Sequence, residues 1–272
     1  MIQPKYQLRL QRHETWQMDR PHFHEDVEIL LSLSDGGDFF IENELYALRH
    51  GALFLLNEST LHKSIANEAY KRYVLHISPE TLQGLSTSQS DFVAFTQKAS
   101  GHCALLQPEQ TSALTKRFQQ LEHPIPDSFG GDIRRTMALL DFLLEVFSFF
   151  SAADVDETGL NSDFARIAPI LKYIQNNIAK PLTLDEVSAR FFINKYHLCH
   201  VFKSATGFSV MEYIIHCRVL RARELLRTGM RVQEVAEAVG FQNTSHFIRT
   251  FGSLTGTSPK RYAKEYLSSD KC

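Results

Sequence analysis

Cysteine is scarce in this chain: Cys103, Cys199, Cys217 and Cys272 are the only four among 272 residues, and no two form a C-x-x-C pair. That is too few for a disulfide framework, and a reducing compartment is the simplest setting. Long apolar runs are missing too. The most apolar stretch, Met137–Phe150, is interrupted by Asp141 and Glu145, and it is shorter than the ~20 residues of a membrane span. The N-terminal MIQPKYQLRLQR has no apolar centre of the kind a signal peptide needs. Low-complexity tracts are absent. These absences predict a soluble, cytoplasmic protein. What is present is ordinary for a globular chain, 43% hydrophobic and 22% charged residues, which excludes a disordered chain, a collagen and a disulfide miniprotein. The length exceeds what one core usually serves, so two domains are expected.

A surplus of either charge is also lacking, since the formal net charge is −2. The balance hides a division. Residues 1–160 hold 13 basic and 22 acidic side chains, a charge of −9, whereas residues 161–272 hold 16 and 9, a charge of +7. A basic half beside an acidic half points to a polyanion-binding module fused to something else.

The acidic half opens with short strands and frequent turns. Val27–Leu33 is a β-branched and leucine-rich run. Asp38–Ile41 and Leu45–Leu48 flank a polar turn, which predicts a hairpin, and Ala52–Leu56 and Arg72–Ile77 add further strands. Strands at this spacing predict a small barrel or sandwich. The period then becomes helical. Leu114, Phe118 and Leu121 share one face, and Pro124 and Pro126 break the chain. The next helix has two apolar sides, one of Ile133, Met137, Leu140, Leu144 and Phe147 and one of Thr136, Leu139, Leu143, Val146 and Phe150. Two apolar sides need two surfaces: the strand domain supplies one, and a second copy of the chain is expected to supply the other, unless the helix is simply a buried core helix. Residues 151–160 are small and acidic and are the expected linker.

The basic half is helical throughout. After a helix striped by Ile167, Ile170, Leu171, Ile174 and Ile178, Thr183 and Glu186 form a capping box, and Asn194 is an N-cap for a helix stopped by Gly207. That helix puts Leu198, Val201, Phe202 and Ala205 inward and Lys195, Tyr196, Cys199, His200 and Lys203 outward. The plan recurs: Ser209 and Glu212 cap a long helix ended by Gly229, a short helix spans Val232–Ala238, Gly240-Phe241 turns, and Asn243 caps a last helix. In this one Phe247, Phe251 and Leu254 face inward, and Thr244, Ser245, Ile248, Arg249 and Gly252 face outward. A short helix, a brief turn and an exposed polar helix make a helix-turn-helix.

Residues 160–267, and above all EVAEAVGFQNTSHFIRTFGSLTGTSP, resemble the AraC/XylS transcription regulators in the glycine-phenylalanine turn, the serine-x-phenylalanine-x-arginine core and the glycine-x-serine-proline ending. The resemblance implies two helix-turn-helix units on one long helix, each placing a recognition helix (about 195–206 and 244–254) in successive major-groove segments. By position Tyr196, Cys199 and His200 in the first unit, and Thr244, Ser245, Ile248 and Arg249 in the second, match base-reading residues. A guanidinium at Arg249 can bridge guanine O6 and N7. Lys195 and Lys203 suit phosphates. Two positions depart from the family: His200 stands where arginine is usual, and Gly252 where lysine or arginine is usual.

Eight of the twelve histidines lie in the acidic half. His22-x-His24-x-x-x-Glu28 spaces its side chains evenly, hence on one strand face, and Gly51 precedes His62 downstream. This resembles the cupin double signature, without the usual proline near Asn57. Three imidazoles and a carboxylate, His22, His24, Glu28 and His62, suit a divalent transition metal such as Mn, Fe, Ni or Zn. The same four can instead contact a small polar effector such as a sugar, or be structural. Residues 72–82 resemble the strand-to-SPE segment that follows such sensor barrels.

The expected fold is therefore multidomain: an N-terminal cupin-like β-barrel plus helices and a C-terminal all-α double helix-turn-helix. Its parts are an effector-binding barrel (1–110), a helical dimerisation region (111–150), a linker (151–160) and a DNA-binding domain (161–272). The expected function is a ligand-responsive, non-enzymatic bacterial transcription regulator, an activator by family resemblance, with double-stranded DNA, a small effector, a second copy of the chain and RNA polymerase as partners. The competing class is a cupin metalloenzyme carrying a DNA-binding tail.

Overall fold

Strand β2 (Val27–Ser32) is buried along its whole length, which explains why it is a leucine-rich run rather than an alternation of apolar and polar residues: both of its faces are covered. The computed structural model describes residues 6–12, 22–24, 26–42, 44–57, 60–65, 70–98, 103–123, 128–152 and 162–269. Two compact units divide the chain, one built principally on Phe23–Glu42 and Tyr46–Gly159 and the other on Leu160–Cys272.

In the first unit β1 (Tyr6–Arg12), β2, β5 (Ala52–Leu56), β7 (Lys71–Ile77) and β8 (Cys103–Leu105) form a five-stranded sheet in the order β1-β7-β2-β5-β8, and β3 (Asp38–Ile41), β4 (Glu44–Ala47) and β6 (His62–Ile65) form a second sheet in the order β4-β3-β6. The recorded pairings are antiparallel. Leu30, Phe54, Leu56 and Val74 from the first sheet pack with Phe39, Ile41 and Tyr46 from the second, so one core lies between the sheets. The other face of the large sheet, with Ile29, Leu31, Leu53, Leu55, Tyr73 and Leu75, packs against helices. Those helices are α1 (Pro79–Leu85), α2 (Phe92–Lys98), α3 (Pro108–Glu122) and α4 (Gly131–Ala152). Leu114, Phe118 and Leu121 are buried as their period predicts. On α4, Leu139, Leu143 and Val146 are buried, whereas Ile133, Met137 and Leu144 are exposed.

Strands β1 and β8 and helices α1 and α2 are additions to the elements expected from the sequence, and α4 runs two residues into the expected linker. The remaining linker residues, 153–160, and the break at Pro124 and Pro126 lie outside the described residues.

The second unit contains α5 (Ser162–Asn177), α6 (Leu184–Arg190), α7 (Lys195–Thr206), α8 (Val210–Arg227), α9 (Val232–Ala238), α10 (Thr244–Thr255) and α11 (Pro259–Ser269), the last not expected from the sequence. The capping boxes form as written: Thr183 Oγ1 accepts from Glu186 N, and Ser209 Oγ accepts from Glu212 N. Helix α8 joins the two halves of the unit. Arg218 donates from Nε to the Ile178 carbonyl at 2.9 Å and from Nη2 to the Lys180 carbonyl at 2.8 Å, satisfying carbonyls just past the end of α5. Arg223 and Arg227 donate to the Tyr262 hydroxyl at 3.2 and 2.9 Å and tie α11 to α8. Among the described residues no helix is long and apolar enough to cross a membrane.

His216 sits on the buried side of α8 with its ring edge-on to Phe208. Burial lowers its pKa from 6.5 to about 4, against an opposing pull from Glu212. The unfolded chain therefore takes up a proton that the fold resists, so the stability present above pH 6.5 is lost as pH falls from 6.5 towards 4. His216→Leu is expected to abolish about 2 kcal/mol of the destabilisation between pH 7 and pH 5, measured by denaturant unfolding at each pH. Equal pH dependence in the variant would contradict this.

Candidate functional site

The alternation of β2 and β7 builds the polar end of the first unit. Glu28, Leu30 and Ser32 point into the space between the sheets, and their register partners across β7 are His76, Val74 and Arg72. Strand β6 lies in the facing sheet, where His62 is the register partner of Ile41. The interior is therefore layered. A histidine and carboxylate cluster occupies one end, Leu30, Val74 and Phe54 fill the middle, and Arg72 donates to Ser64 Oγ at 3.2 Å beyond them.

The four side chains singled out in the sequence come together: His22, His24, Glu28 and His62 each bring one ligand atom within 4.8 Å of the others. Glu28 is the hub, only 3% exposed. His24 Nε2 lies 2.8 Å, His62 Nε2 3.5 Å and His76 Nε2 3.8 Å from the same oxygen, Glu28 Oε2. His76 was not among the residues picked out by spacing. Its ring is edge-on to that of His24, with centroids 4.7 Å apart, and only the cross-strand pairing of Glu28 with His76 brings it there. A strand-by-strand inspection of alternation shows His76 on the inner face; the register that sets it opposite Glu28 is a long-range fact.

The ring orientations are constrained by the backbone. His24 Nδ1 donates to the Asp26 carbonyl at 2.8 Å, and His62 Nδ1 donates to the Thr60 carbonyl at 2.9 Å. A carbonyl only accepts, so each Nδ1 carries a hydrogen and each Nε2 of a neutral ring presents a lone pair toward the Glu28 carboxylate. Two acceptors at 2.8 Å repel unless a proton or a metal cation lies between them. Burial by itself would raise the Glu28 carboxyl, but the charge on His62 and the hydrogen bond from His24 hold it well below the usual carboxylate range. Burial likewise opposes charge on His24, and the hydrogen bond and charge of Glu28 outweigh it, raising this imidazole. The cluster thus has an anionic oxygen and imidazole nitrogens whose rings are fixed by backbone carbonyls, as a histidine is when its other ring nitrogen is to bind a metal.

In the second unit the two exposed helices stand as the sequence predicts. Asn194 Oδ1 accepts from Tyr196 N at 2.9 Å and Asn243 Oδ1 accepts from His246 N at 2.9 Å, while Gly207 and Gly256 end the two helices in the left-handed region. On α7, Leu198, Phe202 and Ala205 are buried, Tyr196, His200 and Lys203 are exposed, and Cys199 is half-buried. Tyr196, Cys199, His200, Lys203 and Ser204 line a surface groove of about 490 Å³. On α10, Phe247 and Phe251 are buried, Ser245, Ile248 and Arg249 are exposed, and Thr244 is half-buried. Lys195 is ion-paired with Asp185, a partner its helical position does not suggest. Gly252 is not demanded by packing, since a Cβ there would meet its nearest neighbour, the Thr257 carbonyl oxygen, at an ordinary 3.8 Å.

A family model of the AraC-like ligand binding domain matches residues 5–143, and a helix-turn-helix domain model matches residues 187–265. The chain is similar to the uncharacterized HTH-type transcriptional regulator YfiF of Bacillus subtilis, 24% identical over 91% of this chain and 80% of that protein. It is similar to the multiple antibiotic resistance protein MarA of Escherichia coli, 33% identical over 38% of this chain and 81% of that protein. Among solved structures, that of ToxT from Vibrio cholerae aligns with 95% of this chain and 96% of that chain at 15% identity and a TM-score of 0.37.

Proposed function

The chain belongs to the AraC family of transcription regulators, with a ligand-binding and a helix-turn-helix domain, and we propose that it is an activator whose DNA affinity answers to a divalent transition-metal ion held by His22, His24, Glu28 and His62. The single observation carrying the metal reading is the pair of imidazoles whose Nδ1 atoms are committed to backbone carbonyls while their Nε2 atoms converge on one buried carboxylate. Nitrogen and oxygen donors without a thiolate suit Mn, Fe, Ni or Zn. A sugar finds less support, because Leu30, Val74 and Phe54 occupy the space directly below the cluster. The same filling weighs against a metalloenzyme, which needs room for a substrate beside its ion.

DNA is read by the outer faces of α7 and α10. Tyr196, Cys199, His200, Thr244, Ser245, Ile248 and Arg249 are the base-reading set, and Lys203 and Lys195 contact phosphates, Lys195 by exchanging Asp185 for the backbone of the duplex. Two copies associate through α4 and the turn before it, where Phe129, Ile133, Met137 and Leu144 make an exposed apolar stripe at helical spacing. A dimer places four helix-turn-helix units on DNA, and the metal selects the half-site spacing it spans and so its access to RNA polymerase.

Arg249→Ala is expected to weaken binding to a selected duplex by about 1–3 kcal/mol and to relax preference at one base position; an equal loss on every sequence in a mobility-shift panel would contradict base reading. His62→Ala is expected to bind Zn or Ni at least about tenfold more weakly than the one equivalent bound by wild type, measured by calorimetry on chelator-stripped protein; unchanged affinity would remove His62 from the site. Met137→Glu is expected to convert the dimer to a folded monomer by light scattering, because Met137 is exposed and its loss leaves no cavity; an unchanged mass would sink the α4 interface.

A further inference from the structure

The two helix-turn-helix units end their short helices in the same way, and one of them does so at a cost. Helix α9 stops at Val239 (φ −97°) and α6 at Phe191 (φ −104°). The next residue is left-handed in both, Gly240 at φ +85° and Phe192 at φ +53°. The hydrogen bonds correspond: Gly240 N donates to the Glu237 carbonyl and Phe241 N to the Ala236 carbonyl, as Phe192 N does to Ala189 and Ile193 N to Ser188. This is the left-handed helix stop that glycine ordinarily fills. Gly240 is required there twice over, by its φ and because a Cβ would come within 2.5 Å of the Ile178 carbonyl oxygen. In the first unit the same slot holds a bulky aromatic, for which a positive φ is a genuine outlier.

The ring is not there for the fold. Phe192 is 96% exposed, so it packs on nothing in the described structure and offsets none of the strain in its backbone. It stands two residues before the Asn194 cap of α7, and the next large exposed ring, Tyr196, lies on the first turn of that helix. Both rings therefore project at the N-terminal end of the element whose outer face is assigned to DNA, the end that enters the major groove in a helix-turn-helix.

We propose that Phe192 is a specificity-determining DNA contact of the first unit, its ring packing on the C5-methyl of a thymine beside the bases read by α7. The occupant follows from chemistry and place. The apolar group a major groove offers is the thymine methyl, and phenylalanine is one of the side chains that meets it. The inference rests on the DNA-binding role proposed above. It explains why a residue that the turn disfavours, and that the core does not use, sits at this slot.

The test uses the full chain and a duplex selected from a random pool by the wild-type protein. Phe192→Asn keeps a residue that tolerates the left-handed turn and removes the ring; Phe192→Tyr keeps the ring. The asparagine variant is expected to bind the selected duplex about 5- to 20-fold more weakly, with less than twofold change on bulk non-specific DNA, while the tyrosine variant binds within about twofold of wild type. Replacing one thymine by deoxyuridine is expected to reproduce the loss in wild type and to cost the asparagine variant nothing more. Phe192→Gly is expected to raise Tm, since relief of the turn is not offset by lost packing. An asparagine variant that binds like wild type, a loss unaffected by deoxyuridine at every thymine, or a fall in Tm for Phe192→Gly would each overturn the proposal. Failure of wild type to select any duplex would instead overturn the DNA-binding role itself, and the contact with it.

Discussion

A carboxylate buried at the end of a fully covered strand is the constraint on which the sensor half depends. Glu28 occupies a position on β2 where a hydrophobic residue would be cheaper, since both faces of the strand are closed by other layers. It is tolerated because imidazoles surround one of its oxygens: His24 at 2.8 Å and His62 at 3.5 Å. Those imidazoles are in turn oriented by the Asp26 and Thr60 carbonyls, so the chain itself dictates which nitrogens face inward. Neutral imidazoles facing an ionised Glu28 would set lone pair against lone pair. The short approach of His24 Nε2 to Glu28 Oε2 therefore calls for a proton between them, and in the proposed function a metal ion takes its place. Leu30, Val74 and Phe54 pack together in the core between the sheets, so that in the proposed function a change at the cluster meets packed side chains.

The DNA-binding half follows a different economy. Helices α7 and α8 are started by local side-chain caps, α7 is stopped by a left-handed glycine, and buried Arg223 and half-buried Arg218 and Arg227 tie helices together through carbonyls and a tyrosine hydroxyl. The outer faces of α7 and α10 are thereby left largely outside the packing, apart from the Lys195–Asp185 ion pair and half-buried Cys199 and Thr244. On α10 the inward Phe247 and Phe251 carry the packing, while Ser245, Ile248 and Arg249 are exposed and Thr244 is half-buried, which leaves them available for the proposed base reading. Gly252 also lies on this face, and a side chain would fit there without displacing a neighbour.

Features set by neighbours in sequence were legible beforehand. The capping boxes at Thr183 and Ser209, the caps at Asn194 and Asn243 and the glycine stops at Gly207 and Gly256 depend on spacings of a few residues, and each is found in place. Strand β5 and the hairpin strand β3 fall where the β-branched and aromatic runs lie. The convergence of His22, His24, Glu28 and His62 was legible as a set, but not for the reason of a shared strand face: β2 begins at Val27, so Glu28 alone of the first three lies on it, and His22 and His24 reach the cluster from the segment before the strand. Features set by distant neighbours were hidden. His76 joins Glu28 only through the β2–β7 register, and Lys195 meets Asp185 only because α6 lies against α7. The short strand β8 has three residues and no pattern long enough to reveal it. The strained turn at Phe192 was hidden for another reason: a phenylalanine there gives no signal of a left-handed residue, and the repeat of the turn in the second unit exposes it.

In the proposed function the charge held at Glu28 governs DNA binding. The most direct measurement is the affinity of the full-length protein for one selected duplex, determined by fluorescence anisotropy on chelator-stripped protein and again after adding one equivalent of Zn or Ni. A change of at least about fivefold in Kd that disappears in Glu28→Gln is expected. Identical affinities with and without metal, under conditions where the metal is bound, would contradict it.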